Sequence, residues 1–355
     1  MTTDYGWKDV TWGKKITSEF LRDLIENPPR VMMFCEQHVE KMFDLPYQRL
    51  QELGTIMAVT SDDSNLFNDY SKAEIVEILT HVDVMVSSYA YHLEQYFHNV
   101  QLPQNAKRPV FFWCPHAAGP SFYEGSFNTN PSRKVFFSGA TSNHYPVRWW
   151  LQTSYQPLHK EQMVSMVHPG YGKMVDDQSL VYATKISKQY ASISTTMIFR
   201  RVVAKTFEIP ATGALLVMND DLLPYMESLG LFNMTHYVAF NGSNPTPVMD
   251  WVLDASNFDT IDRIRLQGMI AIRSNHTVHQ RTAALDDYFT TGHITYEYPP
   301  LHTAHPCPLA GYPNKKKCVE DYQRRVESWK QAKGYKQMPF PLKQNYFKKH
   351  IPNIE

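Results

Sequence analysis

The stretch Lys205-Thr206-Phe207-Glu208-Ile209-Pro210-Ala211-Thr212-Gly213-Ala214-Leu215-Leu216-Val217 decides how this chain is read. From Ala214 to Met218 every position is apolar, the pattern of a parallel strand covered on both faces. Gly213 marks the turn before that strand, where a Cβ would be costly. The residues ahead of the turn read as the end of a helix, with Phe207, Ile209 and Ala211 available to pack. Glu208 stands apart in that company, because a carboxylate set into a helix-to-strand junction needs a partner. A ribose is one fitting partner, since a single carboxylate can accept hydrogen bonds from two adjacent hydroxyls.

Outward from this stretch, short apolar runs alternate with helical spacing, which predicts βαβ units and parallel sheets. Residues 30–35 read as a strand opened by Pro28-Pro29, and residues 38–53 as a helix with Val39, Met42, Phe43 and Leu50 apolar. Strands follow at 55–59, 82–86 and 109–113, with helical spacing at 75–79. Together they predict a doubly wound domain over residues 1–120, whose ligands would sit beyond the strand carboxyl ends. The run Pro115-His116-Ala117-Ala118-Gly119-Pro120 breaks the alternation and marks a boundary.

A second α/β domain is expected over residues 121–290. It opens with a strand at 134–138 closed by Gly139, then an aromatic-rich helix at 145–155, a strand at 164–167 and a helix at 182–190. A strand at 191–196 and the opening stretch come next, followed by helices at 247–253, with Thr246 as N-cap, and at 260–272. Residues 291–355 read as a proline-rich crossover (297–313) and a helix at 319–333.

With 355 residues the chain has room for two cores, and 43% hydrophobic and 20% charged residues are the proportions of a globular protein. Lys plus Arg equals Asp plus Glu at 35 each, so no overall field favours nucleic acid, and no nucleic-acid partner is expected. Eleven Lys or Arg between residues 315 and 349 make a basic tail suited at most to weak contact with an anionic membrane surface. No run approaches the roughly 18 to 20 apolar residues of a transmembrane helix. Asp4, Lys8, Asp9, Lys14, Lys15 and Glu19 leave no room for a secretory leader, so the cytoplasm is the expected location. Cys35, Cys114, Cys307 and Cys318 lack metal-ligand spacing and read as reduced, packing thiols.

The Lys-x-Phe-Glu-Ile-Pro-Ala-x-Gly segment followed by an apolar strand resembles the nucleotide-sugar domain of GT-B glycosyltransferases. Within them it is similar to the family 1-like group that includes spore-maturation and exostosin-like enzymes. Five further segments resemble that group in its order: Phe136-Phe137-Ser138-Gly139, Tyr145-Pro146-Val147-Arg148, His168-Pro169-Gly170-Tyr171, Ala183-Thr184-Lys185-Ile186-Ser187-Lys188 and Asn275-His276-Thr277-Val278-His279-Gln280-Arg281. Residues 115–120 also look like the family's interdomain Pro-His-Ala-Ala-Asp, with Gly119 in place of the Asp. The resemblance, which covers residues 109–285, extends to soluble glycosyltransferases of large algal viruses, for which the location would be the host cytoplasm.

The resemblance implies an α/β GT-B fold, two Rossmann-like doubly wound domains facing across a cleft, with the helix at 319–333 packing back on the first domain. It implies transfer of a hexose or pentose from a nucleoside diphosphate sugar, UDP favoured over GDP, to a hydroxyl of a glycan or glycoprotein. The donor would be the partner, with no cofactor and no metal required. Carried onto this sequence, the ribose ligand is Glu208, and the remaining donor-site positions are Ser138, Gly139, Arg148, His168 and Tyr171. Physical chemistry adds Ser194 and Thr195 as cap and phosphate ligands, and Arg200, Arg201 and Lys205 as cations on the helix that carries Glu208. Many retaining relatives pair the ribose Glu with an earlier Glu, whose place here is taken by Arg200, so the stereochemical course stays open. An inverting enzyme needs a general base, and His38, Glu36, Asp62 and His116 are the candidates. A nucleotide-sugar epimerase and a non-catalytic glycan-binding protein are the alternatives.

Overall fold

The computed structural model describes residues 17–61, 70–90, 100–139, 146–166, 178–195, 202–241 and 245–296. The chain divides into two compact units, Met1–Val86 with Gln101–Phe111, and Ser87–Val100 with Phe112–Glu355. Asp62, His168, Tyr171, Arg200, Arg201, Cys307, Cys318, the 297–313 crossover, the 319–333 helix and the basic tail lie outside the described residues.

The first sheet runs β1 (Val31–Cys35), β2 (Ile56–Ser61), β3 (Val84–Ser87) and β4 (Val110–Trp113), in that spatial order. β1 and β2 pair in parallel from Val31 against Ile56 to Cys35 against Thr60. Helices α1 (Ser18–Glu26), α2 (Tyr47–Glu52) and α3 (Lys72–His81) connect or flank these strands. α3 opens on a capping box in which Ser71 and Glu74 satisfy each other's backbone N–H groups. The single helix expected over 38–53 is in fact a 3-10 helix (Glu36–Asp44) followed by α2. Pro46 is the reason, since it cannot donate within a helix and here serves as the N-cap of α2. Cys35, expected to pack, ends β1 in an exposed position.

The second sheet contains β5 (Ser132–Ser138), β6 (Met163–Met166), β7 (Gln189–Ser194), β8 (Leu215–Asn219) and β9 (Val238–Phe240). Its order is β6-β5-β7-β8-β9, and all four pairings are parallel. Around it lie α4 (Pro120–Tyr123), α5 (Pro146–Trp150, continued by a π turn to Tyr155), α6 (Gln178–Ser187) and α7 (Lys205–Ala211). α8 (Leu223–Ser228), α9 (Thr246–Leu253), α10 (Phe258–Asn275) and α11 (Val278–Thr291) complete the set. The core is built from the inward positions of β5, β7, β8 and β9 with α9 and α10, including Val135, Phe137, Ile193, Val217, Phe240, Met249 and Ile264.

The opening stretch folds as its composition dictates. α7 ends at Ala211, Gly213 turns the chain at φ +82°, and β8 is buried at every position. A Cβ on Gly213 would come within 2.8 Å of the Phe127 ring, so space as well as φ demands glycine. Thr246, expected as a cap, instead begins α9, with Pro245 at the N-cap. The three-residue β9 and the helix α11 have no counterpart among the elements expected from the sequence.

Candidate functional site

Strand order reverses where β6 lies on one side of β5 and β7 on the other. At such a switch point the loops part and leave a crevice beyond the carboxyl ends. Here those ends are Ser138-Gly139 on β5 and Ser194-Thr195 on β7.

Gly139 has φ +105°, and a Cβ built on it would meet Arg148 Nη1 at 2.6 Å and Lys205 Nζ at 2.7 Å. Two cations from different helices therefore converge on one backbone position that only glycine can occupy. Lys205, the first residue of α7, donates from Nζ to the Ser138 carbonyl at 2.9 Å and to Ser138 Oγ at 3.0 Å. Arg148, buried on α5, donates from Nε to Thr195 Oγ1 at 2.9 Å and from Nη2 to the Thr195 carbonyl at 3.2 Å. Thr195 is fully buried, so its hydroxyl is an anchor for Arg148. Ser194 Oγ lies 3.4 Å from Thr206 Oγ1 and ties β7 to α7.

The sequence predicts Ser194 and Thr195 as caps of the Glu208 helix, with Arg200 and Arg201 inside it. The helix instead starts at Lys205, with Ala204 as its N-cap and no side-chain cap bond. Val202 is buried ahead of it. Of the three expected cations Lys205 lies on α7, and Arg200 and Arg201 fall outside the described residues.

Glu208 lies one turn along α7 from Lys205. Among the described residues its carboxylate makes no hydrogen bond or ion pair. Burial pushes its pKa up to about 7, with the Lys205 charge working against that rise. Burial and, second, the Arg148 charge push Lys205 down to about 7, with Glu208 working against that fall. The site thus crowds two cations and one carboxylate into a poorly hydrated space. Such a group is satisfied by an anion for the cations and a hydroxylic partner for the acid.

Tyr182 on α6 was missed by sequence reasoning. Its hydroxyl lies 2.8 Å from Ser138 Oγ and its ring centroid 5.6 Å from Lys205 Nζ. An aromatic at a helical position ordinarily signals core packing, and Tyr182 does touch Phe122 and Phe136.

The Asn275–Arg281 segment has a different place. Arg281 donates to the carbonyls of Pro115 (2.8 Å) and His116 (3.2 Å) and to His276 Nδ1 at 2.9 Å. His276 Nε2 donates to the Leu229 carbonyl at 3.0 Å, which fixes the tautomer and leaves Nδ1 to accept. Burial pushes this imidazole down to about 3, so it stays neutral. The motif therefore holds the 115–118 segment, and through the Phe207 ring it touches the back of α7. The His116 ring pairs with Tyr89 across 3.0 Å. Glu36 and His38 open the 3-10 helix after β1, and only their backbone is described.

Among the described residues, no three His, Cys, Asp or Glu side chains cluster as metal ligands, and no helix is long and apolar enough to cross a membrane. No family model matches the sequence, and no curated protein matches it. Solved structures do. An α-glucosyltransferase in complex with UDP-glucose and DNA containing an abasic site is similar at a TM-score of 0.51 and 10% identity, over 76% of this chain and 83% of that one. TarM is similar at a TM-score of 0.48 and 9% identity over 76% of this chain, which spans 57% of TarM's length. Anabaena HepE, in complex with UDP and glucose, has a TM-score of 0.48 and 7% identity, over 77% of this chain and 81% of its own. At 10% identity the likeness to the α-glucosyltransferase establishes the fold alone: an α/β chain with two Rossmann-like parallel sheets, of the GT-B type.

Proposed function

We propose that this protein is a glycosyltransferase that moves a sugar from a nucleoside diphosphate sugar, with UDP favoured, to a hydroxyl of a glycan or glycoprotein acceptor. One observation carries this reading: Arg148 and Lys205 converge on Gly139 at the switch point, with Glu208 one helical turn away. A diphosphate leaving group gains negative charge as the glycosidic bond breaks. Fixed cations in a poorly hydrated pocket stabilise that charge without reorganising at the moment of reaction. Arg148 is held by Thr195, and Lys205 by Ser138, so both are positioned before donor arrives. Glu208 suits the ribose hydroxyls, and the UDP-glucose complex of the structurally similar α-glucosyltransferase supports a uridine donor.

The test is thermal shift against nucleoside diphosphates and their sugars, wild type beside Glu208→Ala. A ligand present at one hundred times its Kd adds about 2.7 kcal/mol of stability. Stabilisation by one nucleotide, lost in the variant, is the expected result. No stabilisation by any nucleotide overturns the reading, and donor turnover without acceptor would shift it to an epimerase.

A further inference from the structure

We propose that Tyr182 is a positioning residue of the diphosphate cradle, turning the Ser138 hydroxyl into a hydrogen-bond donor for phosphate oxygen. This rests on the reading of the Gly139 site as a donor-phosphate site.

The argument is a count of protons and lone pairs. A serine hydroxyl accepts twice and donates once. Lys205 Nζ donates to Ser138 Oγ at 3.0 Å and so takes one of its lone pairs. The Tyr182 hydroxyl lies 2.8 Å from the same oxygen. With Tyr182 donating, both lone pairs are used and the Ser138 proton is left for a third partner. With the direction reversed, Ser138 would turn only oxygen toward the site, which repels an anion. A phosphate beside Gly139 therefore selects the chain Tyr182 to Ser138 to phosphate, and each bond polarises the next.

The surroundings favour that direction. Burial raises the Tyr182 phenol well above its ordinary value, so it keeps its proton over any working pH. Phe122 and Phe136 pack against its ring and hold it in place. The charged groups that face it are Lys205 and Glu208 on α7 and Arg148 on α5. Among them Glu208 is the one with carboxylate oxygens to accept a hydrogen bond, and it makes none to Tyr182. Ser138 Oγ is thus the phenol's partner among the described residues.

The experiment compares Tyr182→Phe, Ser138→Ala and the double variant with wild type, using inorganic pyrophosphate, UDP and uridine as titrants in calorimetry. Unliganded melting and circular dichroism provide the folding control. Tyr182→Phe should weaken pyrophosphate and UDP by about tenfold, which is about 1.4 kcal/mol, and leave uridine unchanged. The double variant should lose no more than Ser138→Ala alone, because the two side chains act through one proton. Unchanged pyrophosphate affinity in Tyr182→Phe, equal losses for uridine and UDP, or additive losses in the double variant would each overturn the assignment. If the wild type binds none of the three, the donor-site reading itself falls and takes this one with it.

Discussion

Gly139 carries two constraints that its place at the end of β5 explains. Its φ of +105° excludes side chains on conformational grounds, and the two cations exclude them on grounds of space. Gly139→Ala should displace Arg148 and Lys205 from their shared position. The expected outcome is at least about a tenfold loss of UDP affinity by calorimetry. Overpacking should also cost about 1–3 kcal/mol in urea unfolding. Wild-type affinity in that variant would mean that the cations do not meet the ligand there. Glu208 is legible in the sequence because it interrupts an apolar pattern. Tyr182 is not, because its hydroxyl finds Ser138 only through the packing of α6 against the end of β5.

At the scale of elements, the turn between α7 and β8 is held from outside by α10. Arg265 is 1% exposed and donates to the Gly213 carbonyl at 2.9 Å and the Asn128 carbonyl at 2.9 Å, while pairing with Asp262 at 2.6 Å. The guanidinium gives up much of its hydration there, and the fixed carbonyls compensate. Arg265→Met keeps the length of the side chain but leaves two carbonyls without a donor. A loss of about 3 kcal/mol in urea unfolding is expected. A loss below about 1 kcal/mol, the ordinary effect of a point substitution, would show that water takes over those bonds. The sequence reveals β8 because a buried parallel strand is a continuous apolar run, and β5 through the shorter run Val135-Phe136-Phe137. It misplaces the start of α7, since the residues ahead of Lys205 have no capping side chain to mark it. It merges the 3-10 helix with α2, because spacing alone does not weigh the backbone cost of Pro46.

For the molecule as a whole, the buried charges beside Gly139 are a stability cost that depends on pH. Lys205 has a folded pKa of about 7 against a reference of 10.5, so its full cost applies below pH 7 and fades as pH rises toward 10.5. Glu208 has a folded pKa of about 7 against 4.5, so its full cost applies above pH 7 and fades as pH falls toward 4.5. The two overlap near neutrality. A Lys205→Met/Glu208→Gln double variant should gain stability over wild type most strongly near pH 7 and less at pH 5 and pH 9. Denaturant unfolding of both proteins across that range checks the sign, and a difference independent of pH would contradict it. What the sequence determined by itself is the α/β class and the helix, Gly turn and buried strand around Glu208. Apolar periodicity, glycine and proline are local signals, and they suffice for that much. The tertiary structure decided the strand order β6-β5-β7-β8-β9, and with it which side chains meet at the switch point. It also assigned Thr195 to Arg148, Tyr182 to Ser138 and Arg281 to the 115–118 segment. Those contacts join residues 44 to 166 positions apart, and no local pattern records such pairings.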